Sequence, residues 1–301
     1  MALIDRIALS ALPLIPTPVM RRLAGRYIAG ETLPEAIDTL ERLRQRGHPG
    51  IVDLLGEDVH DEAQARSVVA KYAETARAIA DHKLDAYVSV KPTHVGLKLS
   101  SALAFEIYDQ LAHTTAVLGL GLRVEMEDHP TTDATLEVFE RLRKHHAHVG
   151  IVLQARLFRT LADIEALAPG PLNVRLVKGI YLEPASIAHT APEPIRDAFV
   201  ECAKLLARRR AFLALATHDD SMAPKALAVL KAAGYSAKDY EFQVLLGVRE
   251  PLWATWQAAG HRVRVYVPYG PEWRPYSTRR LRKNPQVFRH VMRDTLMFWK
   301  R

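Results

Sequence analysis

Four residues near the C-terminus, Tyr276, Arg279, Arg280 and Lys283, stand at i, i+3, i+4 and i+7. On a helix this spacing puts one aromatic ring and three cations on a single face. A guanidinium grips a carboxylate through two parallel N–H···O bonds, and a tyrosine packs against whatever apolar body the anion carries. The set therefore suits a small organic acid. Just upstream, the β-branched run Val263 to Val267 carries Tyr266 and is followed by Pro268, Tyr269 and Gly270. Pro268 and Gly270 predict the end of a strand and a turn, with a helix starting near Tyr276. An isolated Arg-Arg pair is more often a solvated basic face; the strand, turn and aromatics ahead of this one favour a site.

A second set of chemistry-bearing residues closes a series of short apolar runs. The runs end in or contain Gly56-Glu57, Lys91, Glu125 to Asp128, Gln154 and Arg156, Arg175 with Lys178 to Tyr181, Thr217-His218-Asp219, and Gln243 with Gly247. Buried charges are costly unless paired or used. Taken singly, each has an ordinary explanation. Lys91 could be a surface lysine, Glu125 a counter-charge to Arg175 or Lys91, Arg175 a structural ion-pair member, and His218 a satisfied strand-end histidine. A ring of such residues, one group per strand, points to a functional site. His145, His146 and His148 follow a helix and precede a strand, which reads as a solvated turn, and no H-E-x-x-H supports a catalytic metal.

The elements that must position these residues recur with a regular rhythm. Apolar runs at 51–55, 86–90, 122–126, 149–153, 174–177, 212–216, 242–246 and 263–267 alternate with helical periodicity over 62–79, 132–144, 194–210 and 222–233. Continuous apolar runs between amphipathic helices predict buried parallel strands. Eight of them over about 220 residues predict an α/β fold, a (β/α)8 barrel, whose chemistry sits at the C-terminal strand ends. A doubly wound sheet would need a phosphate-binding turn after a strand; Gly119-Leu-Gly121 precedes one instead, and there is no P-loop. Residues 1–47 read as an N-terminal helical segment around the proline-rich stretch 12–18, with a helix starting at Thr32 and ended by Gly47 and Pro49. Residues 48–301 then form the barrel, with the C-terminal helix lying over its mouth.

Composition narrows the function classes. Of 301 residues, 49% are hydrophobic and 25% charged, ordinary for a globular protein. No apolar run approaches the roughly 18 residues of a membrane span, and no secretory signal is expected. Cys202 is the only cysteine, which excludes an internal disulfide framework and an iron–sulfur cluster and fits a reducing cytoplasm. The net charge of +7 is concentrated after Arg249; it would suit anionic lipid, whereas no nucleic-acid motif accompanies it.

The chain resembles the proline dehydrogenase family. Blocks reading AGETLPEA, DLLGE, VSVKPTHVGL, VEMED, LQARLFRT, RLVKGIY, ATHD, FQVLLG and PYSTRRL follow one another in that family's order, from about Arg26 onward. The resemblance implies a monofunctional bacterial-type enzyme that oxidises L-proline to 1-pyrroline-5-carboxylate. It implies FAD as cofactor, held without a Rossmann domain, and a quinone as electron acceptor. By the same likeness Lys91, Arg279 and Arg280 bind the substrate carboxylate, and Glu125 and Arg175 are catalytic. Met126, Gln154, Arg175, Lys178, Gly179, Ile180, Thr217 and His218 match flavin contacts; Tyr181, Leu245, Tyr266 and Tyr276 match the wall around the proline ring. Glu57 matches the partner of Arg279 in a gate over bound substrate. The residue chemistry agrees: a fixed cation such as Arg175 stabilises the negative charge of a reduced flavin, and Lys178 suits a phosphate. Departures are Glu125 where the family usually has Asp, Ile180 for a small residue, Leu182 for Trp, and Pro92 for Leu. A chain of this length leaves the next step to a separate pyrroline-5-carboxylate dehydrogenase. The expected location is the cytoplasm, with the basic residues after Arg249 offering peripheral contact with the inner face of the membrane. From residues alone, a Schiff-base aldolase using Lys91 or Lys178 and a non-catalytic imino-acid-binding barrel remain as alternatives.

Overall fold

The computed structural model describes residues 17–283. Eight parallel strands close into a barrel in chain order: β1 (Gly50–Leu54), β2 (Ala86–Val90), β3 (Leu122–Val124), β4 (Val149–Gln154), β5 (Asn173–Val177), β6 (Phe212–Ala216), β7 (Tyr240–Leu245) and β8 (Val263–Tyr269). β8 returns to pair with β1. The helices are α1 (Thr17–Ala24), α2 (Leu33–Gln45), α3 (Glu62–Asp81), α4 (Ser101–Val117), α5 (Thr132–Leu142), α6 (Thr160–Ala166), α7 (Pro192–Arg208), α8 (Ala223–Ala232), α9 (Glu250–Ala258) and α10 (Trp273–Lys283). The barrel inferred from the apolar rhythm is the barrel observed.

Local chemistry starts and stops these helices. Thr32 and Glu35 form a capping box at the start of α2, and Gly47, at φ 77°, turns the chain out of the segment after it. Asp61 caps α3 by accepting from the Gln64 amide, and Ser100 caps α4 through the Leu103 amide.

Both faces of the strands are buried, but the two faces differ in kind. Alternate residues such as Val88, Val90, Leu122, Val124, Ile151, Leu176, Leu215 and Val265 join the main apolar core with Tyr72, Ile107, Phe139, Phe199 and Leu206 of the surrounding helices. Their neighbours, including Asp53, Ser89, Arg123, Arg175, Glu241, Gln243 and Arg264, are buried too. Asp53 bonds to Lys91 and Arg123 to Asn173, and the others bond among themselves inside the barrel. Barrel interiors are usually packed with branched aliphatic residues; this one is filled by charges and amides, which must pair to be tolerated.

Three boundaries differ from the sequence reading. β8 runs through Pro268 to Tyr269, because β7 stops pairing at Leu245 opposite Tyr266 and no ladder bond is lost where Pro268 has no N–H. α10 consequently begins at Trp273 rather than near Tyr276. β3 ends at Val124, so Glu125 to Asp128 lie just past the strand. The helices before residue 48 share cores with the barrel. α2 contributes Ala36, Ile37, Leu40 and Leu43 to the main core. α1 and the residues after it bring Met20, Ala24, Tyr27 and Ile28 against Leu55, Leu245 and Trp273, with Tyr266 and Tyr276 packed on that cluster. α10 is thereby seated at the barrel mouth.

Candidate active site

The centre of the mouth is a carboxylate held by three donors. Glu125 Oε1 accepts from Arg175 Nη1 at 2.6 Å, Ser89 Oγ at 2.5 Å and the Tyr266 hydroxyl at 3.1 Å. Burial alone would raise this carboxyl, but Arg175 and Ser89 outweigh it and hold Glu125 below the usual range. Burial likewise opposes the Arg175 cation, and Glu125 more than compensates, so both partners stay ionised. The Arg175 guanidinium carbon lies 5.1 Å from the centre of the Tyr266 ring. These three groups come from after β3, from β5 and from β8, and only barrel closure brings them together.

A second ion pair stands beside the first. Lys91 Nζ donates to Asp53 at 3.0 and 2.8 Å, with Asp53 fully buried in β1 and Lys91 9% exposed at the end of β2. Burial works against the ammonium, but the Asp53 carboxylate outweighs it and keeps Lys91 charged. The same nitrogen lies 6.0 Å from the centre of the Tyr276 ring on α10. Asp53 was not singled out from the sequence, where it sits inside the run IVDLL; an acid within a continuous apolar run is the same signal that drew attention to Arg175.

A third carboxylate, Glu127, is 4% exposed and accepts from the Thr93 amide at 2.8 Å and its hydroxyl at 2.9 Å. Burial is its dominant influence and pushes it up to about 7. Burial, reinforced by the charges of Glu127 and Glu57, also pushes the Tyr181 phenol up. Glu57 follows Gly56, where any side chain would strike the ring of buried His94, so the chain turns up to the rim at that point. Leu245 is buried in the cluster that includes Tyr266 and Tyr276. Of the wall residues expected from the resemblance, Tyr266 touches the Glu125–Arg175 pair, Tyr276 faces Lys91, and Leu245 shares their apolar cluster. Arg279 and Arg280 fall on α10, but their side chains lie outside the described residues, as does the expected pairing of Arg279 with Glu57.

The remaining strand ends form a separate group on the β4–β6 side. Gly179 has φ 101°, and a β-carbon there would meet Gln154 Oε1 at 2.8 Å and Arg156 Cδ at 2.7 Å, so only glycine permits this approach. Gln154 donates to the Glu127 carbonyl at 3.0 Å, and its Oε1 is buried without a partner among the described residues, as is Arg156 Nε. Lys178 and Arg196 both pair with Asp219, at 3.0 and 2.8 Å, and together hold its carboxyl well below the usual range against the opposing effect of burial. Arg196 also pairs with Glu193, so the two cations and two acids of this group balance, and Lys178 is its more accessible cation. Thr217 Oγ1 accepts from the Asp219 amide, and His218 Nε2 accepts from the Leu245 amide at 3.1 Å, which places the histidine proton on Nδ1. Met126 is buried, whereas Ile180 and Leu182 are 59% and 78% exposed at the rim. His146 and His148, by contrast, are at the opposite end of the barrel and are tied down by Asp109 and Thr115 rather than solvated.

Comparison with known proteins bears on this geometry directly. The proline dehydrogenase family model matches residues 36–292. The chain belongs to the proline dehydrogenase family. It is 33% identical over 279 residues to proline dehydrogenase 1 of Bacillus subtilis subsp. natto, covering 91% of this chain and 90% of that protein. It is 33% identical over 285 residues to proline dehydrogenase of Deinococcus radiodurans, covering 92% and 91%. Its fold is similar to that of proline utilization A from Bdellovibrio bacteriovorus, with a TM-score of 0.80 at 24% identity over 88% of this chain and 33% of the other. The chain combines two ion pairs on one side of the mouth with a wall on the β4–β6 side that leaves Gln154 Oε1 and Arg156 Nε without partners among the described residues. No helix among the described residues is long and apolar enough to cross a membrane.

Proposed function

We propose that this chain oxidises L-proline to 1-pyrroline-5-carboxylate using non-covalently held FAD, and that its electrons pass to a quinone. The observation that carries this reading is the Glu125–Arg175 pair set beside Lys91 and Tyr276 at one barrel mouth. Lys91 meets the proline carboxylate, with Arg279 and Arg280 as its proposed companions. Tyr181, Leu245, Tyr266 and Tyr276 pack the ring, so the carbon next to nitrogen on the side away from the carboxylate is presented at a fixed position. Glu57 closes over the substrate with Arg279.

FAD supplies the hydride acceptor. The residues fit such a group: Gln154 Oε1 and Arg156 Nε are buried without a partner among the described residues next to Gly179, and Lys178, just before Gly179, is a donor for phosphates. Arg175 supplies a cation that needs no reorganisation as negative charge develops nearby. Met126, Ile180, Thr217 and His218 complete the proposed cofactor wall. The product passes to a separate pyrroline-5-carboxylate dehydrogenase, and a quinone acceptor places the enzyme in peripheral contact with the cytoplasmic face of a membrane.

A Schiff-base aldolase is disfavoured, because the nucleophile must be a neutral amine, whereas Lys91 is kept charged by Asp53 and Lys178 is engaged by Asp219. The deciding experiment is the absorption spectrum of purified protein before and after L-proline, with chromatography of the heat-released supernatant. A flavin spectrum bleached by proline and FAD in the supernatant are expected. No chromophore after reconstitution with FAD, or borohydride trapping of a carbonyl substrate, overturns the reading.

A further inference from the structure

The Arg175 guanidinium has a contact that substrate binding does not account for. Its Nε donates to Gln243 Oε1 at 2.6 Å. The two residues lie on β5 and β7, with β6 between them. Arg175 is in register with Ala214 of β6, and Ala214 with Glu241 of β7. The small side chain at Ala214 leaves room for the guanidinium to reach past β6.

We propose that Gln243 is a positioning residue for proline oxidation: it fixes the plane of the Arg175 guanidinium through an amide whose orientation is locked from the far end of the barrel. The lock follows from hydrogen-bond valence. An arginine Nε–H can only donate, and the Glu241 carboxylate can only accept. Gln243 touches both, with Oε1 on Arg175 and Nε2 on Glu241 Oε1 at 2.6 Å and on the Tyr87 hydroxyl at 2.8 Å. Reversing the amide would set N–H against N–H and oxygen against carboxylate. Glu241 cannot move to relieve this, because Arg264 Nε clamps both its oxygens at 2.8 and 3.0 Å. Tyr87 is wedged between Arg123 and Arg264, whose guanidinium carbons lie 5.5 and 5.0 Å from its ring centre. Gln243, Glu241 and Arg175 are 3%, 1% and 4% exposed, so water offers no substitute partner. With Nε held, the planar guanidinium turns Nη1 to Glu125 and Nη2 to Ser89. The edge that faces the reaction is thus set from the barrel interior before any ligand enters.

This inference rests on Arg175 acting beside the substrate, and its test separates the two. Gln243→Met keeps the volume and removes the amide. Proline turnover should fall about ten- to a hundredfold, the effect of losing one buried hydrogen bond to a charged group, with KM for proline unchanged. Gln243→Glu keeps an acceptor toward Nε but sets an oxygen against the Glu241 carboxylate, so most of the rate should return only when Glu241→Gln accompanies it. In an Arg175→Lys background, Gln243→Met should add nothing further. In cofactor-free protein labelled with nitrogen-15 arginine, one exchange-protected Nε–H signal should vanish in both Arg175→Lys and Gln243→Met. Wild-type turnover in folded Gln243→Met, or an undiminished loss in the Arg175→Lys background, overturns the proposal. Absence of proline oxidation by the wild type would instead end the functional reading, and the Nε–H signal would still decide whether Gln243 holds Arg175.

Discussion

The two ends of the barrel interior are built from the same kinds of residue and end in different states. At the N-terminal end, Arg264 is bonded to Glu241, to the Gly50 carbonyl at 3.0 Å and to Asp85. Arg123 nearby donates to the carbonyls of Ile151 and Asn173 and to Asn173 Oδ1 at 2.7 Å. Backbone carbonyls and side chains close most of that network, with Arg123 Nε the one atom of these two arginines left without a partner among the described residues. At the C-terminal mouth, Lys91 bonds only to Asp53 among the described residues and otherwise faces an aromatic ring, while Gln154 Oε1 and Arg156 Nε are left unsatisfied. A buried network braced largely by backbone carbonyls holds the fold; one that leaves several polar atoms open in a charged mouth is shaped for a ligand to complete.

The largest test of that contrast is Arg264→Leu, which leaves Glu241 buried with its main counter-charge gone. Breaking a buried pair from one side costs about 3–5 kcal/mol, so denaturant unfolding should show a large loss of stability while KM for proline is kept. A stable variant with altered KM would make the lower network part of the site. Next comes Arg175→Met at the upper end. It should leave proline binding largely intact and slow flavin reduction by about a hundredfold or more, roughly 3–4 kcal/mol; stopped-flow absorbance decides, and an unchanged rate would make the pair structural.

Glu127 sharpens the contrast through pH. Its carboxyl is pushed up from 4.5 to about 7 in the fold, so between those values the native state holds a proton that the unfolded chain has lost. Stability from this group is therefore present below about pH 4.5 and is lost as pH rises toward 7. Glu127→Gln should remove that loss, gaining on the wild type by up to about 1.4 kcal/mol per pH unit across the window. Parallel stability–pH curves for the two proteins would refute the assignment. The smallest effect on stability belongs to Glu57→Ala, half-buried at the rim, where an ion pair near the surface contributes about 0–1 kcal/mol. Its expected signature is weaker proline binding and faster dissociation. Unchanged affinity, with Arg279→Ala abolishing binding, would reduce the gate to a carboxylate anchor.

Much of the barrel could be read from the chain because the outward strand residues are uniformly apolar and every strand is bounded by a helix of its own. Arg175, Lys91 and Glu125 stood out because each interrupts or ends such a run. Asp53 did not, being hidden between Val52 and Leu54 in a run that reads as plain strand, and the end of β8 was misplaced because proline ordinarily breaks strands. It survives here only because β7 has already ended.

Sequence by itself determined the alternation of elements, the polar residue at each strand end and, through the order of its blocks, the family. Those properties are local: periodicity, turn residues and short motifs need no knowledge of distant neighbours. Only the tertiary structure decided which charge meets which. Lys91 pairs with Asp53 and Arg175 with Glu125 and Gln243 because closure of the barrel sets the stagger between strands. No local pattern encodes that stagger, since the hydrogen-bonded residues lie 38 to 68 positions apart, on different strands or at their ends.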